Sequence, residues 1–345
     1  MAINVNKNFK KYNYRLLTFV LKLHIIISTE PRTPLNNAYH ARSFNYWDNL
    51  RMLKKHQEPL DVLQQIENLK NLGLKIDDEE KAIEFLNNVS YFRLIKAFGI
   101  KEKNSNFPEG ITFENIKGLY IFNAKLRHLL FAQLEKIEVN LRCRIANYFS
   151  CKYGIFGYKD ANNFKVYEFH EKFLTEIETE IKRNKKAAFV RNFQDNYEGG
   201  DLPFYALIEL FSFGTLSKYF KNMKNSDKKE IAKFYGVTYT YLESWFEHLA
   251  FVRNICAHYG RIYNSNFSIR PILYKQYTDL GVSSLRLYAS LVCLKHLLPY
   301  DEHWQKFIVK VSLLIEDFPC VKPALMGFPD KDWEIILSKP IDELK

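Results

Sequence analysis

With 345 residues, 47% of them apolar and 26% charged, the chain has the composition of a folded soluble protein, so bulk disorder is excluded while one large domain or two ordinary ones stay open. The 28 Phe and 22 Tyr, set against only 13 Gly and 11 Pro, argue against an all-β chain of many tight turns and favour an aromatic-rich helical core. A formal charge of +11 fits either a polyanionic partner or a Lys-rich, AT-rich coding sequence, and the five cysteines, without a C-x-x-C pair, suggest neither a disulfide framework nor a zinc site.

In chain order, residues 1–50 read as a poorly ordered extension or as sequence carried by an early start codon. The apolar run Leu16 to Ser28 is interrupted by Lys22 and His24 and is too short to span a bilayer. Residues 51–110 form an N-terminal helical unit. Leu60, Leu63, Ile66, Leu69 and Leu72 recur at threes before Gly73; Asp77 or Asp78 caps a second helix; Val89 to Phe98 is a third, and a polar loop follows over 101–110. Residues 111–345 form the core, opened by the longest helix, with Thr112 and Asn115 as caps and Leu119, Leu126, Leu130, Leu134, Ile137, Leu141, Ile145 and Phe149 on its apolar face. Helical patterns continue over Val166 to Arg183 and Leu202 to Met223. Asp227 starts another helix, Thr238 or Thr240 caps the next, and Ser283 to Leu298 pairs with Asp301 to Phe318. The fold class expected is all-α.

The informative segment is Tyr241 to Asn264, YLESWFEHLAFVRNICAHYGRIYN. On a helical wheel with Arg253 at zero, Leu242, Trp245, Leu249, Val252 and Cys256 fall between roughly 260° and 340°, a core stripe. Arg261, Asn254 and His258 fall near roughly 80°, 100° and 140° on the other side. A helix that stops at Gly260 moves Arg261 and leaves the others in place. RNA cleavage by its own 2′-hydroxyl needs a proton shuttle and a cation against the phosphorane. Histidine, with an ordinary pKa of about 6.5, suits the first role. Arginine, with its planar fork, suits the second, and Asn254 suits the orienting of either. One copy supplies one Arg and one His, so a two-fold pair of copies is expected around one phosphate. By spacing alone R-x-x-x-x-H is a weak pattern, and an exposed basic helix face accounts for it as well.

Arg253 to Asn264, RNICAHYGRIYN, resembles the R-N-x-x-A-H-x-x-R-aliphatic-aromatic-N signature of the Abi family of abortive-infection proteins, in its AbiD- and AbiF-like members. Ile66 to Ile76, Asn88 to Phe98, Lys125 to Ile145, Leu202 to Ser217 and Met326 to Trp333 are similar to its other blocks, so the resemblance runs from Leu60 to Lys339. Tyr205 stands where the family commonly shows Trp, a difference of packing. The resemblance implies a multi-helix core like that of the higher-eukaryote-and-prokaryote nucleotide-binding (HEPN) superfamily. It also implies a homodimeric, metal-independent endoribonuclease leaving 2′,3′-cyclic phosphates, a role in anti-phage abortive infection, and in several relatives a structured small RNA as partner. Arg253, His258 and Asn254 are the implied catalytic set, with Arg261 a phosphate contact.

Elsewhere Glu138 and Arg142 form an i,i+4 pair, structural in the first place, with bracing of the catalytic helix as the alternative, and Asn264 is a further supporting residue. The densest basic run, Lys182, Arg183, Lys185, Lys186 and Arg191, reads equally as an RNA grip and as a solvated helix face. His128, His170, His248, His296 and His303 are scattered, so no metal and no cofactor is expected; Cys256 faces the core as a packing thiol. The chain is expected in the cytoplasm, with RNA as partner and without a membrane. A non-catalytic RNA-binding module using the same basic face is the rival reading.

Overall fold

The computed structural model describes residues 58–98, 106–299, 301–330, 332–340 and 343; residues 1–50, with the Leu16 to Ser28 run, lie outside them. Among the described residues the fold is all-α, with fourteen α-helices and no strand, only the isolated bridges Lys75 with Thr112 and Phe164 with Met223. No helix among them is long and apolar enough to cross a membrane.

Short-range chemistry sets the first helices. In α1 (Val62–Asn71) Asp61 and Gln64 form a reciprocal capping box, and in α2 (Glu79–Asn88) Asp78 accepts from the Lys81 N–H. Of the apolar run before Gly73, Ile66 and Leu69 are buried but Leu60 and Leu63 are 41% and 65% exposed. Steps of three turn the face back by about 60° each time, so five such positions cannot share one side. After α3 (Tyr91–Phe98), the 41-residue α4 (Phe113–Tyr153) opens on a Thr112–Asn115 capping box and buries every apolar position named for it above. It is about 60 Å long and packs against α3, the site helix α10 (Tyr239–Ala257) and the C-terminal α13 (Glu302–Glu316).

Several expectations need correction. The run Lys182 to Arg191 is not one helix face, because α5 (Tyr167–Arg183) ends and α6 (Ala188–Asn196) begins within it. Leu202 to Met223 is broken into α7 (Phe204–Leu207), a 3-10 turn, and α8 (Phe213–Asn222), which Ser212 caps at the Thr215 N–H. At the break the carbonyl of Phe211 turns out of the helix and accepts from Arg142 at 2.8 Å. Asp227 does not start α9 (Asn225–Lys233): it lies inside it, fully buried, accepting from Tyr148, Tyr153 and Lys152. The short α11 (Lys275–Asp279), α12 (Leu287–Leu297) and α14 (Trp333–Ser338) complete the described helices.

The chain leaving α10 is strapped back along it. Trp245 Nε1 donates to the Ile272 carbonyl at 2.7 Å, and Ser244 Oγ accepts from the Ile272 N–H at 2.9 Å. His248, wholly buried, bridges the Ile269 carbonyl and Ser290 Oγ at 2.7 and 2.8 Å, while His296 stacks on Trp245 and meets the Tyr277 hydroxyl at 2.9 Å. Burial holds both imidazoles neutral and pulls each pKa down from 6.5 to about 4; Lys295 adds to this at His296, and the Ile269 contact opposes it at His248. Between pH 4 and 6.5 the unfolded chain therefore binds more protons than the folded one. Stability is full above pH 6.5 and falls as pH drops through that window, by on the order of 2 kcal/mol per histidine at pH 5. Urea unfolding at pH 8 and pH 5 should show a clearly lower midpoint at pH 5, and an unchanged midpoint would contradict the buried neutral pair.

Candidate active site

The core stripe of α10 is buried: Leu242, Trp245, Leu249 and Val252 are fully inaccessible and Cys256 is nearly so, its thiol pushed up to about 12 by burial. A thiol so placed packs and does not react. Opposite the stripe, Asn254 and His258 are exposed; Arg253, at the edge of the stripe against α4, is half-buried. The helix ends at Ala257, earlier than either arrangement read from the wheel. His258 is the C-cap, its N–H directed at the Asn254 and Cys256 carbonyls, and Tyr259 takes the left-handed conformation at φ +58°. The N–H of Gly260 returns to the Ile255 carbonyl at 2.8 Å and that of Tyr259 to Cys256 at 3.4 Å, the double closure of a Schellman turn.

Glycine and tyrosine thus exchange their usual places. The left-handed position holds an aromatic residue, a backbone cost on the order of 1 kcal/mol. Gly260, whose φ is not positive, is needed for closeness instead: a Cβ there would meet Ile255 Cγ2 at 2.8 Å and the Ile255 carbonyl at 3.1 Å.

Three polar side chains of α4 are buried, Asn123, Arg127 and Glu138, and all three face this segment. Asn123 Oδ1 accepts from the N–H groups of Ile262 and Tyr263 at 2.8 and 3.1 Å, and its Nδ2 donates to the Gly260 carbonyl at 3.2 Å. The Arg127 guanidinium lies 5.4 Å from the Tyr259 ring centre. Glu138 Oε2 faces Arg253 Nε at 3.3 Å, at an angle too poor for a hydrogen bond, so the attraction is electrostatic. The other Glu138 oxygen accepts from Arg142 at 3.0 Å, which leaves one carboxylate between two guanidiniums. Positions rising along α4 meet positions falling along α10, so the two helices run antiparallel. Arg253 also lies over the Phe131 ring, 5.7 Å from its centre, and its Nη1 reaches Asn254 Oδ1 at a long 3.5 Å.

Arg261 is exposed beyond the turn, its Nε donating to Ser265 Oγ at 3.3 Å, and it does not continue the face of Asn254 and His258. Asn264 is also left-handed, at φ +50°, and its Oδ1 accepts from Arg286 at 3.0 Å, tying the motif to the start of α12. Lys182, Arg183, Lys185, Lys186 and Arg191 are exposed on the end of α5, the connection and α6. Among the described residues no group of three or more His, Cys, Asp or Glu side chains is arranged to hold a metal ion.

A family model described as Abi-like protein matches residues 84–264, slightly more than half of the chain, from α2 to the end of the RNICAHYGRIYN segment. The chain belongs to the Abi-like family. The match is narrower than Leu60 to Lys339, because the Ile66 to Ile76 and Met326 to Trp333 blocks fall outside it. No curated protein and no solved structure matches this Abi-like chain.

Asn123, Arg127 and Arg93 were missed by sequence reasoning. Asn123 carried a signal: it stands four residues after Leu119 and three before Leu126, a polar residue inside an apolar stripe. Arg127, four residues further on, shares that face.

Proposed function

We propose that this Abi-like chain is a metal-independent endoribonuclease of abortive infection, cleaving RNA by attack of the 2′-oxygen on the adjacent phosphorus. His258 transfers protons to or from the reacting oxygens, and Arg253 pairs with the phosphate oxygens where charge develops. Asn254 orients Arg253, and Glu138 holds its Nε edge so that the remaining guanidinium N–H groups are free to turn outward. The observation that carries the reading is an exposed His258 at the end of the helix that also carries the carboxylate-braced Arg253, in an Abi-like chain.

The reaction needs a base at the 2′-oxygen and an acid at the departing 5′-oxygen, roughly in line. Two His258 side chains related by a two-fold axis meet that need, so the active form is a homodimer that shares the site. A structured small RNA is the further partner this reading admits. Arg261 and the basic run of α5 and α6 contribute phosphate contacts.

Total RNA incubated with protein in EDTA tests the reading, with products assayed for their ends and mass measured in solution. Cleavage that survives EDTA and leaves 2′,3′-cyclic phosphates is expected from a dimer. Magnesium-dependent cleavage leaving 5′-phosphates overturns the chemistry, full-rate cleavage by a strict monomer overturns the shared site, and RNA binding without cleavage favours a binding module.

A further inference from the structure

Two arginines from different elements converge on the residue after His258. Arg93, exposed on α3, has its guanidinium 5.7 Å from the Tyr259 ring centre and its Nη1 3.4 Å from the Tyr259 carbonyl. Arg127 on α4 shares the same ring at 5.4 Å. Tyr259 is 65% exposed, so it and Arg93 face solvent while Arg127 lies beneath.

Neither arginine has a carboxylate partner among the described residues. Arg127 is only 6% exposed; among the described residues its side chain makes one hydrogen bond, from Nε to the Asn123 carbonyl of its own helix at 3.4 Å, and its Nη1 is buried without an acceptor. Arg142, fifteen residues further along α4, and Arg253 each also bury an unpaired Nε, but both face carboxylates, so the missing anion is what sets Arg127 apart. Folded proteins seldom leave a guanidinium N–H buried and unpaired, and seldom gather two cations without an anion. Burial lowers the Arg127 pKa, and Arg93 pushes the same way, while Cys256 and Tyr120 oppose. Arginine nevertheless stays charged in proteins.

We infer that Arg93 and Arg127, held on the Tyr259 ring, form a phosphodiester subsite beside His258. It takes a phosphate neighbouring the one that is cleaved. The subsite rests on the ribonuclease reading for its ligand, single-stranded RNA. The exposed Arg93 guanidinium presents N–H groups to phosphate oxygens, and an anion there relieves its repulsion with the charge of Arg127 buried behind it. The left-handed Tyr259 then has a reason to be tyrosine: its ring gathers the two cations next to the reacting histidine.

The test is the affinity of the full chain for a single-stranded RNA oligonucleotide made uncleavable by 2′-deoxy substitution, measured across a potassium chloride series. Arg93→Gln and Arg127→Gln should each weaken binding several-fold at low salt and lower the slope of log K against log salt by about 0.7. Arg93→Lys, which keeps the charge, should keep the slope. Arg93 is a surface residue, so its variants remain informative should Arg127→Gln fail to fold. An unchanged slope in Arg93→Gln, or no binding by the unaltered chain, overturns the subsite. Cleavage of total RNA by the unaltered chain is followed in parallel. Cleavage with unchanged slopes removes the subsite alone, whereas altered slopes without cleavage keep the subsite and remove the nuclease reading.

Discussion

His258→Ala and Arg253→Ala are each expected to lower RNA cleavage by roughly 10²-fold to 10⁴-fold, the range for loss of a proton-transfer group or a transition-state charge partner, while leaving fold and mass in solution unchanged. His258 is exposed, so its truncation removes little packing. Arg253 is partly exposed, and its loss leaves Glu138 still paired with Arg142 at 3.0 Å, so no buried carboxylate is orphaned. Arg253→Lys keeps the charge but not the planar fork, and should fall between the alanine variant and the unaltered protein. Cleavage rates on one RNA, with circular dichroism and light scattering as controls, provide the measurement. Equal rates for either alanine variant and the unaltered chain would sink the catalytic assignment.

Asn123→Leu should act in a different way, lowering stability and cleavage together. Leucine is similar in size but leaves the N–H groups of Ile262 and Tyr263 without an acceptor and the Gly260 carbonyl without its donor. Leaving a buried polar group unsatisfied costs about 1–3 kcal/mol, and with partial relaxation the whole substitution should cost roughly 2–4 kcal/mol. Because the released turn also carries Tyr259 and the C-cap His258, the folded fraction should cleave more slowly as well. Urea unfolding and cleavage rates measure the two effects. A loss of stability well under about 1 kcal/mol would mean that water replaces Asn123 on the turn.

Sequence alone determined the helical class, the capping of α4 by Thr112 and Asn115, the buried stripe of α10 and the exposure of Asn254 and His258. All of these are short-range: a cap acts over three residues and an apolar stripe repeats every three to four, so both are written in neighbouring letters. The break in Leu202 to Met223 was harder to read, since a run buried on most sides looks the same whether or not the helix is continuous. The bond from Arg142 to the Phe211 carbonyl, which satisfies that carbonyl where the helix opens, joins residues 69 positions apart.

Tertiary structure alone decided how the site is held. The link from Arg93 to Tyr259 spans 166 positions and that from Asn123 to Gly260 spans 137. It also decided that His258 is a helix C-cap and not a mid-helix residue, with Tyr259 in the left-handed place glycine usually takes. The physical reason is that a buried polar side chain is stable only where distant chain brings it a partner. Asn123 and Glu138 found theirs when α4 and α10 packed antiparallel, and a pattern confined to either helix holds only half of that pairing.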